Sequence, residues 1–393
     1  ARRAMARTAA NYWGHPARSL TMVGITGTNG KTTTVAMVDA LLDANEIRTA
    51  TLGTLAAHLP DSPPTTPDST DLQALLATFR DDDYDAVAME VSSEGLLARR
   101  VDEIVYDVAA FTNLTQDHLN VHGTMENYFA AKAQLFTRER ARAAVICIDD
   151  EWGARLAGLA GDAGLEVVRC SVRDILVDRV EGPRAEIRWH GAHGVLHMAG
   201  EHNLANAAVA ANVGEVLGLN ASAVLAGLGT LKSVPGRFEY VDGGQPFAVV
   251  VDYAHTPDGV EVVLRAARRS VDQDAQVIVV VGCGGDRDRA KRPLMAAAAE
   301  ELADTVILTS DNPRNEDPRA ILNEMQTGLR DPSRVIIDPD RAAAIRLAIE
   351  QAAPGDIVVI AGKGHETTQT IGDDVLPFDD REVARGALAG LGT

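Results

Sequence analysis

Lys31, Thr32 and Thr33 follow two closely spaced glycines in the run Val23-Gly24-Ile25-Thr26-Gly27-Thr28-Asn29-Gly30-Lys31-Thr32-Thr33. A glycine-rich turn opening a helix points backbone N–H groups and the positive end of the helix dipole at one spot, which suits a phosphate chain. Lys31 would reach the outer phosphates and the Thr32 hydroxyl would hold Mg²⁺. The strict P-loop pattern has glycine where this chain has Ile25, so the stretch is a variant of it. An ordinary strand-to-helix turn is the bland alternative, which the apolar strand before the turn and the helical stretch after it disfavour. Gly27, Thr28, Asn29, Gly30, Lys31, Thr32 and Thr33 are therefore read as a nucleoside-triphosphate site.

Four further clusters carry chemically useful groups. Glu90 ends an apolar stretch beyond the P-loop, where a carboxylate for Mg²⁺ is wanted; a solvated strand-end glutamate is the rival reading. His118 lies at the next such end and by itself would more often be a hydrogen-bonded structural histidine. Lys132, in an Ala-Ala-Lys-Ala helix, is by spacing alone a surface lysine. In the C-terminal half, Gly282 to Arg289 packs glycines and alternating charges into one loop, letting backbone approach a charged ligand closely. Asp311-Asn312-Pro313-Arg314 adds an arginine whose planar fork matches a carboxylate. Gly362 and Glu366 belong to Gly-Lys-Gly-His-Glu, where Glu366 would suit an ammonium group. An exposed salt-bridged turn is the alternative for either charged loop taken singly.

These groups need elements to hold them. Apolar stretches alternate with helical ones along most of the chain: strands at Leu20–Ile25, Thr49–Leu55, Asp85–Val91, Val108–Leu114, Ala144–Ile148 and Val167–Cys170, then a hairpin at Glu186–Met198. Alanine-rich helices follow at Asn203–Leu217 and Ala221–Leu231. Beyond Val234-Pro235-Gly236-Arg237 the alternation resumes, with strands at Ala248–Asp252, Gln276–Gly282, Thr305–Thr309, Val335–Ile337 and Asp356–Ala361. Such alternation implies βαβ units and a parallel sheet covered by helices. The expected fold is α/β: a central P-loop domain with a mostly parallel sheet over residues 1–235, and a C-terminal Rossmann-like α/β domain over 236–393. The polar clusters fall just after strands, and open parallel sheets bind ligands at the carboxyl ends of their strands. Two such edges would meet in an inter-domain cleft.

Bulk composition bounds the function. The 393 residues amount to about two or three domains, 46% apolar and 24% charged. A net charge of −19 argues against nucleic acid, whose phosphates demand a basic face. No apolar run reaches a membrane span, and the start does not resemble a signal peptide. Cys147, Cys170 and Cys283 have no metal spacing and are expected to be reduced and buried, as in a cytoplasm.

The chain resembles the Mur ligase family over nearly its whole length. The matching stretches are GTNGKTTT at 27–34, MEVSS at 89–93, FTNLTQDHL at 111–119, HGTMENYFAAKAQLF at 122–136, GRFE at 236–239, DYAHTPD at 252–258, GCGGDRDRAKRPLM at 282–295, DNPR at 311–314 and GKGHE at 362–366. The resemblance is strongest to members that add the third residue of the peptidoglycan stem peptide. It implies that ATP phosphorylates a peptide carboxylate, an amine attacks the acyl phosphate, and phosphate leaves. It implies ATP and Mg²⁺ at Lys31 and Thr32, metal at Thr32, Glu90, His118 and Lys132, and carbamylation of Lys132 by CO₂. Asn206, Arg237, Asp252, His255 and Arg341 would border the nucleotide. Thr65, Thr66, Ser92 and Arg100 would bind substrate, and Arg287, Asp311, Asn312, Arg314, Gly362 and Glu366 would form the amino-acid pocket. The DNPR form of that pocket resembles the members that use meso-diaminopimelate, with a UDP-MurNAc-dipeptide-like carboxylate as acceptor. The expected partners are these small molecules only, with no nucleic acid or membrane, acting on a cytoplasmic monomer.

Three features depart from the family pattern. Its small N-terminal uridine-nucleotide domain has no counterpart in residues 1–19, Glu94 replaces the histidine of MEVSSH, and Asn120 replaces the last aspartate of DHLD. The rival expectation is thus a truncated homologue working on a carboxylate without a UDP handle. A non-catalytic nucleotide-binding module is a third possibility, disfavoured because such a module needs no second-substrate pocket. A folate-type polyglutamate ligase shares the P-loop fold but should lack DNPR.

Overall fold

The computed structural model describes residues 1–55, 64–198 and 200–391, and of Asn120 the backbone alone. It separates into two compact units, Ala1–Lys232 and Ser233–Thr393.

The first unit is built on six strands: β1 Thr21–Thr26, β2 Thr49–Leu52, β3 Ala86–Glu90, β4 Tyr106–Phe111, β5 Ala141–Cys147 and β6 Glu166–Cys170. Their order is β2-β3-β1-β4-β5-β6, and every neighbouring pair is parallel. The central strands are buried along nearly their whole length, as helices on a parallel sheet's faces require. The chain leaves β1 for the edge strand β2, returns through β3, and crosses β1 to β4, β5 and β6 on the other side. The carboxyl end of β1 therefore lies at a topological switch point. Register brings Ile25 beside Glu90 and Thr26 beside Phe111, placing the P-loop, Glu90 and the segment after Phe111 along one edge.

Several predicted borders shift. The second strand stops at Leu52 rather than Leu55, and the fourth runs Tyr106–Phe111 rather than Val108–Leu114. Beyond Phe111 the backbone turns away to bond the P-loop, with Thr28 N–H donating to Asn113 O at 2.9 Å. The predicted hairpin is a three-stranded antiparallel sheet of β7 Leu176–Glu181, β8 Arg184–Trp189 and β9 Ala192–Leu196. β7 escaped notice because it is exposed along its whole length, so it has no apolar alternation to read. Of the predicted Asp61–Asp68 loop, residues 61–63 lie outside the described residues.

In the second unit β10 Glu239–Tyr240, β11 Ala248–Asp252, β12 Val277–Cys283, β13 Thr305–Ser310, β14 Val335–Ile337 and β15 Ile357–Ala361 form a sheet ordered β10-β11-β15-β12-β13-β14. All pairs but the β10–β11 edge are parallel. Along β12, Val277, Val279 and Val281 feed one core while Ile278 and Val280 feed the other, the two-residue alternation of a sheet covered on both faces. Cys283 pairs with Ser310 and Asp252 with Ala361, so the Gly282, Asp311 and Gly362 loops leave neighbouring strand ends. The hairpin of β16 Thr368–Ile371 and β17 Asp374–Pro377 and a final helix, Asp380–Leu391, complete the unit; neither was read from the sequence. Among the described residues no helix is long and apolar enough to cross a membrane.

Candidate functional site

The P-loop glycines are required twice over. Gly27 and Gly30 adopt φ of +151° and +83°, a region L side chains rarely enter. A Cβ on Gly27 would also lie 1.9 Å from Thr112 Oγ1, and one on Gly30 2.1 Å from Asn206 Oδ1. Asn206, from the helix Glu201–Val216, is thereby brought against the loop. Gly30 is the N-cap of the helix Lys31–Asp43 and has no side chain to occupy the first-turn amides. Lys31 Nζ donates to Gly27 O (3.0 Å) and Thr28 O (2.7 Å), folded over the loop it would vacate for a phosphate. Asn113 Oδ1 accepts from Asn29 N–H at 2.9 Å, and Thr28 Oγ1 bonds Thr115 O and the Tyr128 hydroxyl, each at 3.2 Å. Thr33 is buried in the helix's first turn.

Glu90 and Thr32 come together. Thr32 Oγ1 donates to Glu90 Oε1 at 3.0 Å, and Thr54 N–H donates to the same oxygen at 2.8 Å. Lys132 is not a surface lysine: it is 1% exposed, its Nζ donates to Gly27 O at 2.7 Å, and it stands 4.6 Å from the Tyr128 ring centre. Burial first, then the Lys31 ammonium, hold its pKa well below the ordinary lysine value. Two lysines thus meet on one carbonyl oxygen. His118 stands between Asp117 and Glu94, at 3.3 and 3.7 Å from its ring nitrogens. Burial lowers its pKa, against the opposing pull of Asp117. His122 escaped the sequence reading, yet its Nε2 lies 3.0 Å from Ser93 Oγ and its ring 4.8 Å from that of Tyr128. Its place within the HGTMENYF stretch was the available signal.

The residues read as substrate-binding form a connected strip. Thr66 Oγ1 donates to Glu90 O and accepts from Ser92 N–H, both at 2.9 Å. Arg100 donates to Thr66 O at 3.1 Å and pairs with Asp68 at 2.7 Å. Ser92 Oγ caps the helix Ser93–Leu97 through Gly95 N–H, and Thr65 is half-buried beside Thr66.

In the second unit, the Arg314 guanidinium and the stem of Arg287 both border Gly284, while the Arg287 head group donates to Asp286 O at 3.3 Å. A Cβ on Gly284 would lie 2.9 Å from an Arg314 guanidinium nitrogen and 3.7 Å from Arg287 Cγ. Arg314 is braced by the missed hairpin, its N–H donating to Thr370 O (3.0 Å) and its carbonyl accepting from Gly372 N–H (2.7 Å). Asn312 Nδ2 donates to Glu366 Oε2 at 2.7 Å, and Gly362 packs where a Cβ would be 2.8 Å from Asp311 Oδ2. Fully buried Lys363 donates to Glu366 Oε2 (3.0 Å) and Asn312 Oδ1 (3.1 Å), so Glu366 already holds an ammonium from its own chain.

A third group surrounds Tyr253, which the sequence reading also passed over. The Arg237 guanidinium lies 4.5 Å from its ring, with the rings of His255 and His365 at 4.6 and 5.1 Å. Asp252 accepts from Phe238 and Ala254 N–H (2.7 and 2.8 Å), and burial raises its pKa despite Arg237. Arg341 stands apart from this group. Its guanidinium is buried in a 2.7 Å ion pair with Asp380 and donates to Ser310 O and Ala361 O, so its fork is spent on holding the unit together.

The sequence matches the Mur ligase middle domain over residues 25–214 and the Mur ligase glutamate ligase domain over 236–364. It is 45% identical to the UDP-N-acetylmuramoyl-L-alanyl-D-glutamate–2,6-diaminopimelate ligase of Streptomyces coelicolor, over 98% of this chain and 79% of that protein. The chain belongs to the Mur ligase family. The ligase of the same name from Synechococcus elongatus is 47% identical over 97% and 79% of the two chains. A solved structure of such a diaminopimelate ligase aligns with a TM-score of 0.65 at 35% identity, over 95% of this chain and 79% of that one. Folylpolyglutamate synthase of Mycobacterium tuberculosis, solved with ADP and AMPPCP, shares the fold at a TM-score of 0.73 and 24% identity, over 99% and 95%. As a Mur ligase the chain is an ATP-dependent acid–amino-acid ligase whose substrates are small molecules. Among the described residues no three His, Cys, Asp or Glu side chains gather as a metal site; the expected metal set also draws on a threonine and a lysine.

Proposed function

We propose that this Mur ligase joins meso-diaminopimelate to UDP-N-acetylmuramoyl-L-alanyl-D-glutamate in peptidoglycan precursor synthesis, as a cytoplasmic monomer. The observation that carries the amine substrate is the Arg314 guanidinium held against Gly284, with the stem of Arg287 beside the same glycine. The Arg314 fork can take a second carboxylate, which the diacid has and lysine lacks, and Arg287 on the adjoining loop can add a second cation. The rival acceptor without a UDP handle is not favoured, since relatives covered at 97–98% of this chain carry the UDP-muramoyl name.

In the reaction a carboxylate oxygen of the acceptor attacks the γ-phosphorus, an O–P bond forms, and the bond to ADP breaks. The amine then attacks the acyl carbon and phosphate leaves. Phosphoryl transfer of this kind asks for positioning and charge rather than covalent help. The turn Gly27–Gly30 and the first-turn amides hold the phosphates, and Lys31 leaves the carbonyls it now covers to follow the charge on the transferred group. Asn206 sets the edge of the loop, while Arg237, Asp252 and His255 serve the nucleotide, with Tyr253 as their platform. Thr65, Thr66, Ser92 and Arg100 serve the acceptor. Asp311, Asn312, Gly362 and Glu366, with the two arginines, serve the amino acid.

The donors present fit Mg²⁺. Thr32 and Glu90 offer hard oxygens 3.0 Å apart, and His118, the N-cap of the helix Leu119–His122 beyond β4, would add a nitrogen. Bound there, Mg²⁺ would neutralise phosphate charge. Lys132 fits carbamylation because burial favours its neutral amine, the form that adds CO₂ through nitrogen and releases a proton. The product is an anionic oxygen donor beside the P-loop carbonyl. The deciding experiment crosses diaminopimelate, lysine and other amino acids against acceptors with and without the UDP group, following ADP release. Turnover confined to the diacid and the UDP-dipeptide is expected; equal turnover with lysine would sink the reading of the pocket.

A further inference from the structure

The helix Ser93–Leu97 meets both ends of the short helix Leu119–His122. Ser93 Oγ lies 3.0 Å from His122 Nε2, and the next residue, Glu94, sets Oε1 3.7 Å from Nδ1 of His118, the N-cap. Across the ring, Asp117 Oδ2 lies 3.3 Å from His118 Nε2. His118 has φ +53°, a conformation its surroundings must impose on a residue with a side chain. Its imidazole therefore stands between two carboxylates. A neutral imidazole has one donor and one acceptor nitrogen, so whichever nitrogen keeps the proton decides which one can meet a cation.

We propose that Glu94 is the positioning residue of His118. It accepts the Nδ1 proton, fixes that tautomer, and leaves the Nε2 lone pair beside Asp117 Oδ2, a nitrogen and an oxygen on one side of the ring for one cation. The proposal rests on the assignment of metal to His118 above. Histidine ligands are ordinarily held in this way by a carboxylate on the far nitrogen. Here the carboxylate comes from the position where the family motif has histidine. At 3.7 Å Glu94 Oε1 stands just beyond hydrogen-bond reach of Nδ1, and the Glu94 side chain, 50% exposed, has the freedom to close the gap. That exposure also makes the pair a minor contributor to folding, so its effect belongs in metal binding.

The test is Mn²⁺ binding by the whole chain with a saturating non-hydrolysable ATP analogue, read by electron paramagnetic resonance. Glu94→Ala, Glu94→Gln, His118→Ala and the Glu94→Ala/His118→Ala pair are compared with the unaltered protein, alongside ¹⁵N shifts of the His118 ring. Glu94→Ala should weaken Mn²⁺ binding by about 10- to 100-fold, with the thermal midpoint unchanged and the Nδ1-protonated shift pattern lost. Gln keeps an acceptor oxygen at the same reach and should lose less than about fivefold. On the His118→Ala background, Glu94→Ala should add nothing. Unchanged affinity in Glu94→Ala, with His118→Ala weakened, overturns the proposal alone. A Gln variant as weak as Ala overturns it too, by making Glu94 act through its charge. If His118→Ala binds Mn²⁺ as tightly as the unaltered chain, the metal assignment falls and takes the proposal with it.

Discussion

Lys31 and Lys132 share one acceptor, the carbonyl of Gly27, yet are asked for opposite charge states. Lys31 is useful as a cation. Replacing it with alanine is expected to lower ATP turnover by 10²-fold or more, on the order of one lost transition-state donor, while the circular dichroism spectrum and melting temperature stay unchanged. Full activity in the folded variant would refute the phosphate role. Lys132 is useful as a neutral amine, and its burial lowers its pKa in that direction. Lys132→Ala is expected to be inactive, with partial recovery in short carboxylates or bicarbonate that supply the missing anionic oxygen. Mass spectrometry under native conditions should show the CO₂ adduct on the unaltered chain; a bare amine at saturating bicarbonate would count against it. Neither expectation could be weighed from Lys132 by itself, since an Ala-Ala-Lys-Ala helix gives no hint of burial.

At the scale of elements, the ends of β12, β13 and β15 present their loops side by side, and two arginines do different work there. Arg314 stands on the loop after β13 and is braced by the β16–β17 hairpin. Unpaired hydrogen-bonding groups in a pocket reject an analogue by on the order of 10⁴ in specificity. Arg314→Ala should therefore erode the preference for diaminopimelate over lysine chiefly through the diacid's kcat/KM, and comparable losses for both substrates would contradict it. Arg341, by contrast, opens the helix Arg341–Gln351 and pins the last helix through Asp380, both side chains fully buried. Removing one partner of a buried pair costs about 3–5 kcal/mol because the other charge is left uncompensated. Arg341→Ala should lower the unfolding free energy by that amount, read as a lower urea midpoint at unchanged slope, and Arg341→Met with Asp380→Leu should recover much of it. A variant with ordinary stability but impaired nucleotide binding would return Arg341 to the nucleotide.

Across the whole molecule, stability is expected to follow the histidines that burial keeps neutral: His202, which burial pushes down to about 4, and His365. Burial, then the nearby Arg237, Arg381 and Lys363, push His365 from 6.5 down to about 4, and its Nδ1 is buried without a hydrogen-bond partner. The unfolded chain takes up a proton in this window that the folded chain refuses, so stability is full above about pH 6.5 and is lost as pH falls toward 4. The loss stays below the roughly 1.4 kcal/mol per pKa unit of a fully buried group, because the ring is only half-buried. Denaturation of the unaltered protein and His365→Gln at pH 7.5 and 5 should show a smaller acid loss in the variant; equal slopes would remove His365 as the cause.

The sequence by itself determined what local chemistry can encode. The α/β alternation, the P-loop turn and the motif order that marks a Mur ligase were all legible, because strand burial, positive-φ glycines and phosphate-binding side chains leave their pattern within a few consecutive residues. Where the pattern is not local, only the tertiary structure decided. By spacing alone Lys132 was a surface lysine, singled out only by resemblance, and its burial against Tyr128 and Gly27 is visible in the folded chain alone. Arg341 carried a role by resemblance that its buried pairing with Asp380, 39 residues on, now competes with. Tyr253, His122 and the β16–β17 hairpin were passed over because their partners come from distant segments and their own stretches are short or polar. Burial and pairing between remote residues are properties of the folded chain, and they move a lysine's pKa in a direction that no local sequence pattern shows.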